Sequence, residues 1–222
     1  MPVINRIQKT ILTQFPKVSE SEHFYLTGGT ALAYFYLQHR KSNDLDFFAT
    51  NEELLLPFSF HLEEFLKEQK MEVERRRGFR SFVELIVKNK TEETMIHLAL
   101  DAAFRFEQLK EFSEFSGLKV DNLQDIAVNK LLALFGRAAF RDFVDVYFLV
   151  HQAKFEPESL IKNAKIKDPG FDLYWLGVAF ERINTFQDNS PEMLLLLKPL
   201  PLKEIADFFN GWRQEIAQQL SS

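Results

Sequence analysis

Apolar and polar positions alternate along this chain with two different periods, and the change from one to the other divides it. Ile4, Ile7, Ile11, Leu12 and Phe15 fall at helical spacing and predict a first helix over residues 4–15, ended near Pro16. A short β-type run at residues 23–26 stops at Gly28-Gly29, and residues 30–38 return to a helical pattern. Residues 45–49 predict a second short strand, and residues 52–69 an amphipathic helix whose first turn Pro57 breaks or offsets. Strands follow at 72–76, 81–88 and 94–101. In 81–88, Phe82, Glu84 and Ile86 oppose Val83, Leu85 and Val87; in 94–101, Ile96, Leu98 and Leu100 oppose His97, Ala99 and Asp101. A short edge strand is expected at 118–120.

From residue 123 the period is helical to the end, with helices expected at 123–134, 141–153, 157–163, 172–185 and 202–220. Loops at 167–170 and 188–191 separate the last three. The pattern therefore describes an α/β half, residues 1–121, and an all-helical half, residues 122–222. It contains no internal repeat and no low-complexity tract.

Composition adds exclusions. The 222 residues are 46% hydrophobic and 27% charged, the balance of an ordinary soluble protein. The 24 phenylalanines read as core filling where other chains use Leu and Val. There is no cysteine, which removes disulfides, Cys-ligated zinc and thiolate catalysis, and fits a reducing cytoplasm. No signal peptide is expected, and no apolar run is long enough to span a bilayer. The net charge of −5 is not that of a generically basic nucleic-acid binder, so an RNA partner would need a local basic patch. Arg75-Arg76-Arg77 with Arg80, beside Gly78 and Phe79, is such a cluster. Glu72, Glu74 and Glu84 lie close enough in sequence to neutralise it instead.

Three features gather ahead of the second strand: Gly28-Gly29-Thr30 after a strand, Arg40 with Ser42 in a connection, and Asp44-Leu45-Asp46. Each is weak alone, since Gly-Gly is often just a turn and Asp-x-Asp often a cap. Together they describe a site. Two carboxylates one residue apart on a strand point to one face, while Leu45 faces the core. Both can bind the same hard, oxygen-seeking cations, which polarise an α-phosphate and stabilise departing pyrophosphate. The Gly-Gly turn lets backbone N–H groups approach phosphates, with Thr30 adding a hydroxyl and Arg40 and Ser42 expected as further phosphate contacts. A haloacid-dehalogenase-type phosphatase also uses Asp-x-Asp, but needs an apolar strand leading into it, and here the strand follows. No Gly-x-x-x-x-Gly-Lys-Ser/Thr P-loop occurs. Sugar transferases that use Asp-x-Asp have no place for the Gly-Gly-Thr or the later basic motifs.

The stretch from Gly28-Gly29-Thr30-Ala31-Leu32 through His39-Arg40-Lys41-Ser42-Asn43-Asp44-Leu45-Asp46 resembles the AbiEii-type nucleotidyltransferase toxins of the DNA polymerase β-like superfamily. The resemblance continues in Asp125 to Leu134, around Lys130, and in Arg137 followed by Arg141-Asp142-Phe143-Val144-Asp145. It covers roughly residues 23–150. It implies an α+β fold: a polymerase β-like core with a mixed sheet of about five strands, followed by a C-terminal helical bundle that completes the active site. It implies a third metal carboxylate on a neighbouring strand, for which Asp101 is the candidate beside Asp44 and Asp46. His97 is the only basic residue in that strand. Lys130 and Arg137 are seven apart, on one helical face if the helix continues through Gly136, and Arg141 is four further on; this face would grip a triphosphate or RNA backbone. Asp142 and Asp145 would orient these cations, or one would act as a base toward the acceptor hydroxyl. The activity implied is transfer of a nucleoside monophosphate from an NTP, with Mg2+ or Mn2+, to an RNA hydroxyl, a tRNA 3′ end among the possibilities, or to a protein hydroxyl. It is that of a bacterial toxin with a cognate antitoxin. The rival is a catalytically idle member that binds nucleotide or a partner, whose mark would be a lost metal carboxylate; Asp44 and Asp46 are both present.

Overall fold

The computed structural model describes residues 2–102 and 104–221. It divides into two compact units. One comprises Met1–Tyr36 and Lys41–Leu123, the other Leu37–Arg40 and Gln124–Ser222.

The first unit is built on a seven-stranded mixed sheet. In chain order its strands are β1 (Tyr25–Thr27), β2 (Asp44–Ala49), β3 (Glu72–Phe79), β4 (Phe82–Lys88), β5 (Glu93–Leu100), β6 (Lys110–Glu111) and β7 (Lys119–Val120). In space the order is β3-β4-β5-β2-β1-β7-β6. Seven strands rather than about five is a small difference: β7 falls within the strand expected at 118–120, and β6, with two residues, has no readable period. β2 pairs antiparallel with β1 and parallel with β5.

One sheet face is closed. Leu45, Phe47, Val83, Leu85, Val87, Ile96 and Leu98 have no exposure. Against it lie α1 (Arg6–Gln14) and α3 (Glu52–Glu68). Phe15 stacks on Phe47 at 3.8 Å between centroids, and Phe24 on Phe58 at 4.0 Å, so much of the abundant phenylalanine fills this layer. Asn5 caps α1 with a reciprocal capping box to Gln8. Pro57 lies inside α3 rather than breaking it. Its lost N–H bond falls near the helix start, where buried Leu55, Phe58, Leu62 and Leu66 hold the helix in place. The other sheet face carries Asp44, Asp46, Glu84 and His97, all only partly buried.

After β1 the chain turns through α2 (Gly28–Ala31) and a π-helical stretch, Leu32–Leu37, which Gln38 ends at φ 50°. The expected helix over 30–38 is thus present but irregular, the kind of departure from α geometry that gathers at functional sites.

The second unit is helical: α4 (Leu123–Arg137), α5 (Phe140–His151), α6 (Pro157–Lys167), α7 (Leu173–Glu181) and α8 (Leu202–Leu220). α4 does run through Gly136. α7 packs on α8, and Phe143, Phe180, Phe209 and Trp212 form its aromatic core, with Phe180 4.9 Å from Trp212 and Phe143 4.9 Å from Phe209. The segment Leu37–Arg40 is tied into this unit. Gln152 and Lys198 donate to the Leu37 carbonyl at 3.0 and 2.9 Å, and the Leu197 N–H donates to His39 O at 2.9 Å. Among the described residues no helix is long and apolar enough to cross a membrane.

Candidate active site

Strand alternation sets the first part of the site. Leu45 and Phe47 point into the core, so Asp44 and Asp46 stand on the open face of β2. Asp46 lies opposite Thr27 in β1, and the chain turns at the next residue, Gly28, with φ 70°. A Cβ built there would sit 2.3 Å from Asp46 Oδ2 and 3.0 Å from its Cγ. Only glycine tolerates both that φ and that approach, so the turn is shaped around the carboxylate. Thr30 is fully buried, and its hydroxyl donates to the Asp44 carbonyl. Its contact is with the backbone of the Asp-x-Asp strand. Ser42 is also buried; its N–H donates to Val3 O at 3.1 Å and its carbonyl accepts from Gln8 at 3.0 Å.

On the parallel neighbour β5, the residue opposite Asp46 is His97. Its Nδ1 is 2.9 Å from Asp46 Oδ1 and its Nε2 is 3.6 Å from Glu84 Oε2 on β4. Burial opposes a charge on this ring. The hydrogen bond and charge of Asp46, with Asp44 and Glu84 beyond, outweigh burial and raise its pKa.

Asp101 shares this face but not this place. It lies four residues past His97, just beyond β5, on the order of 13 Å along a strand. Its N–H donates to Ala49 O at 2.8 Å, so it stands beyond the far end of β2 from Asp44. Its carboxylate accepts the Tyr25 hydroxyl and lies 3.8 Å from Arg105, which also pairs with buried Asp121. Burial first, and then the charge of Asp101, push the Tyr25 phenol far up. Asp44, Asp46 and Asp101 are therefore not gathered as three ligands. Among the described residues no three His, Asp or Glu side chains form a ready metal cluster. The correction has a simple cause: alternation fixes the face of a side chain, while its distance along the strand depends on a register with β2 that is not local.

The second unit holds the later motif. Asp145 of α5 has no exposure, and its carboxylate receives Arg40 Nε at 2.6 Å, Arg40 Nη2 at 2.8 Å, His39 Nε2 at 2.7 Å and Lys130 Nζ of α4 at 2.7 Å. Burial favours its neutral form. The charges of Arg40 and Lys130 and the hydrogen bonds of Arg40 and His39 overcome this and hold it well below the usual carboxylate range. His39 is pushed down, mainly by burial. Asp142, one turn earlier and fully buried, takes a bidentate pair from Arg137 at 2.8 Å and 2.8 Å. Arg141 is exposed. The expected basic face is thus divided between partners: Lys130 belongs with Asp145, and Arg137 with Asp142. Arg40, expected as a phosphate contact, is buried against Asp145.

Two participants were not singled out by sequence reasoning. Glu84 had a signal, since it is the one carboxylate in the alternating 81–88 strand. His39 had only its place beside Arg40.

The fold is that of a nucleotidyltransferase. A Helicobacter pylori protein solved as a candidate nucleotidyltransferase superposes with a TM-score of 0.62 at 18% identity, over 97% of this chain and 96% of that one. MenT4, a nucleotidyltransferase toxin of Mycobacterium tuberculosis, superposes with a TM-score of 0.57 at 19% identity, over 95% and 85%. The family model described as nucleotidyl transferase AbiEii toxin, type IV toxin–antitoxin system, matches residues 10–220, and the chain belongs to that family. An uncharacterized Aquifex aeolicus protein, aq_aa25, is 26% identical over 216 residues, 94% of this chain and 95% of its own. The protein is accordingly a toxin-type nucleotidyltransferase, a class that uses an NTP and is paired with an antitoxin.

Proposed function

We propose that this protein transfers a nucleoside monophosphate from an NTP to an RNA hydroxyl, releasing pyrophosphate, with Mg2+ or Mn2+ held by Asp44 and Asp46. The observation that carries this is Gly28. The closest approach to Asp46 Oδ2 is cleared by the absence of a side chain, at a residue whose φ favours glycine. The donor set, two part-exposed carboxylates on one strand face, suits a hard cation. A cation held there supplies charge to an α-phosphate and to the departing pyrophosphate.

The remaining roles fall to the chain's own groups. Gly28 and Gly29 bring the backbone to the carboxylates, and Thr30 and Ser42 hold the strand and connection that carry them. His97 donates from Nδ1 to Asp46 and fixes its rotamer. Asp145 is a positioning residue: a saturated carboxylate held below its usual pKa is a poor general base. It directs Lys130, whose Nζ lies 2.7 Å from its carboxylate. Asp142 does the same for Arg137. The cytoplasm, with its NTP and RNA pools, is the expected compartment.

The test is incubation with each labelled NTP, magnesium and total RNA, beside Asp46→Ala. Label on RNA, abolished by the substitution, is expected. Absence of label on RNA and protein with every NTP would sink the transferase reading. Label surviving Asp46→Ala would sink the metal assignment, and label on protein alone would move the acceptor.

A further inference from the structure

Apart from Glu84, the β3–β4 hairpin carries chemistry the site does not use. Residues 75–83 contain four arginines and no carboxylate, in a chain of net charge −5. Arg75 turns inward: its guanidinium is 2.6 Å from Glu63 Oε1, 2.9 Å from Ser59 Oγ and 4.2 Å from the Phe60 ring centroid. The other three point out. Arg76 and Arg77 side chains are 52% and 62% exposed, in solvent-screened pairs with Glu74 at 3.1 Å and Glu84 at 4.0 Å, and Arg80 sits exposed at the turn. Between them Phe79 is 62% exposed, an aromatic ring left in water at the tip of an edge strand.

The register connects this tip to the carboxylates. Arg77 lies opposite Glu84, Glu84 opposite His97, and His97 opposite Asp46. Directly paired residues share a face, so this is one polar row across three strand spacings, roughly 14 Å. A parallel row runs through Phe79, Phe82, Ala99 and Phe48. A shift in register between Arg75 and Arg77 lets Arg75 face α3 while Arg77 joins the open face. Exposed arginines and a ring at the tip, continued by Phe82 and Phe48 on the open face, suit a single-stranded nucleic acid, whose phosphates pair with arginine and whose bases stack on rings.

We propose that the hairpin and these two rows form the docking track for a single-stranded end of the RNA acceptor. Arg76, Arg77 and Arg80 take its phosphates, Phe79 stacks a base, and the track leads the reacting hydroxyl toward Asp46. The proposal rests on the RNA-acceptor reading above.

The probe is a fluorescein-labelled single-stranded RNA of about 12 nucleotides, within the span such surfaces take. Its affinity is measured by anisotropy across a salt series, beside the RNA-labelling assay. Arg76→Gln with Arg80→Gln weakens binding about tenfold or more and lowers the slope of log K against log salt by about 1.4, or 0.7 per phosphate contact. Phe79→Ala weakens binding roughly tenfold to a hundredfold and leaves the slope unchanged, because stacking releases no counterions. Lys203→Gln, an exposed cation on α8, leaves both unchanged. Arg80→Gln alone, at the turn, repeats the slope test at half size if the double variant is unstable. Variants that bind RNA as wild type with the same slope, while wild type still labels RNA, overturn the track and leave the acceptor reading intact. A wild type that labels protein and neither binds nor labels RNA overturns both.

Discussion

Asp46 keeps 24% of its side chain exposed on an open sheet face, beside a histidine and under a glycine with no Cβ. Asp145 keeps none of its own, inside a helical unit, and is met by an arginine fork, a lysine and a histidine ring. Sequence motifs present both as aspartates set near basic residues. Physically they are opposites. A carboxylate whose lone pairs are already taken by three fixed partners can neither accept a proton near neutrality nor admit a new ligand. It can hold its partners still. A half-open carboxylate beside a cleared backbone can take a cation. The difference is the ground for the proposal that Asp44 and Asp46 carry the chemistry and Asp145 the order.

The sharpest way to break that contrast is to remove each acid and read activity and stability separately. Asp46→Ala is expected to lower transfer on the order of a thousandfold or more, comparable to removing a principal electrostatic group of a transition state. It should leave the melting temperature within a degree or two, since the lost group is partly solvated. Asp145→Ala is expected to cost about 3–5 kcal/mol of stability, because Arg40 and Lys130 are left buried without a counter-charge. For a chain of this size that lowers the melting temperature by roughly 6–20 °C. Melts followed by circular dichroism, with the labelling assay alongside, decide it. An Asp145→Ala protein that melts like wild type and is inactive would make Asp145 part of the chemistry and erase the distinction.

A smaller effect separates the two glycines that flank these regions. Gly28→Ala adds a Cβ 2.3 Å from Asp46 Oδ2 at a φ of 70°. Adopting that φ costs about 1–2 kcal/mol, and the carboxylate must also move. Transfer is expected to fall roughly tenfold to a hundredfold with a modest loss of stability. Gly136→Ala lies in α4, where an added Cβ meets nothing within 4 Å. It is expected to stabilise by about 0.5–1 kcal/mol and leave transfer unchanged. Equal activity in the two variants would remove the argument from Gly28.

The half of this picture that depends on local period was readable beforehand. Alternation placed Leu45 inward with Asp44 and Asp46 outward, and separated Glu84 from Val83 and Leu85. Helical spacing located α1 and α8, and the motif resemblance covered Gly28 through Asp145. What was not readable is set by contacts between distant segments. Asp101 has the correct face, but the β2–β5 register carries it past the end of the pair to Tyr25 and Arg105. Leu37 and His39 lie between elements of the β unit in sequence, yet the Leu37 carbonyl accepts from Gln152 and Lys198, and the His39 carbonyl from the Leu197 and Lys198 N–H groups, all of the helical unit. No periodicity encodes that exchange. The division of Lys130 and Arg137 between Asp145 and Asp142 is likewise hidden, because spacing shows that two cations share a helix face and not which acid each will meet.

The smallest expected effect concerns acid. His39 and Asp145 both have folded-state pKa values below their ordinary ones, His39 chiefly through burial and Asp145 through Arg40 and Lys130 acting against burial. For each, the unfolded chain binds a proton more readily than the folded one, so each contributes stability that is lost as pH falls. The windows differ. The loss tied to His39 begins below the unfolded histidine value of about 6.5, and the loss tied to Asp145 below about 3.9. His97, shifted upward, contributes fully below about 6.5 and acts only above that window. Arg40 and Lys130 are the other charged groups facing Asp145. The melting temperature should therefore decline gently from pH 6.5 toward 4 and more steeply below. His39→Gln, which can still donate to Asp145, should flatten the first decline and leave the second. A wild-type melting temperature constant between pH 6.5 and 4 would mean that His39 accepts a proton inside the folded unit. Asp145 would then be matched by three full positive charges rather than two.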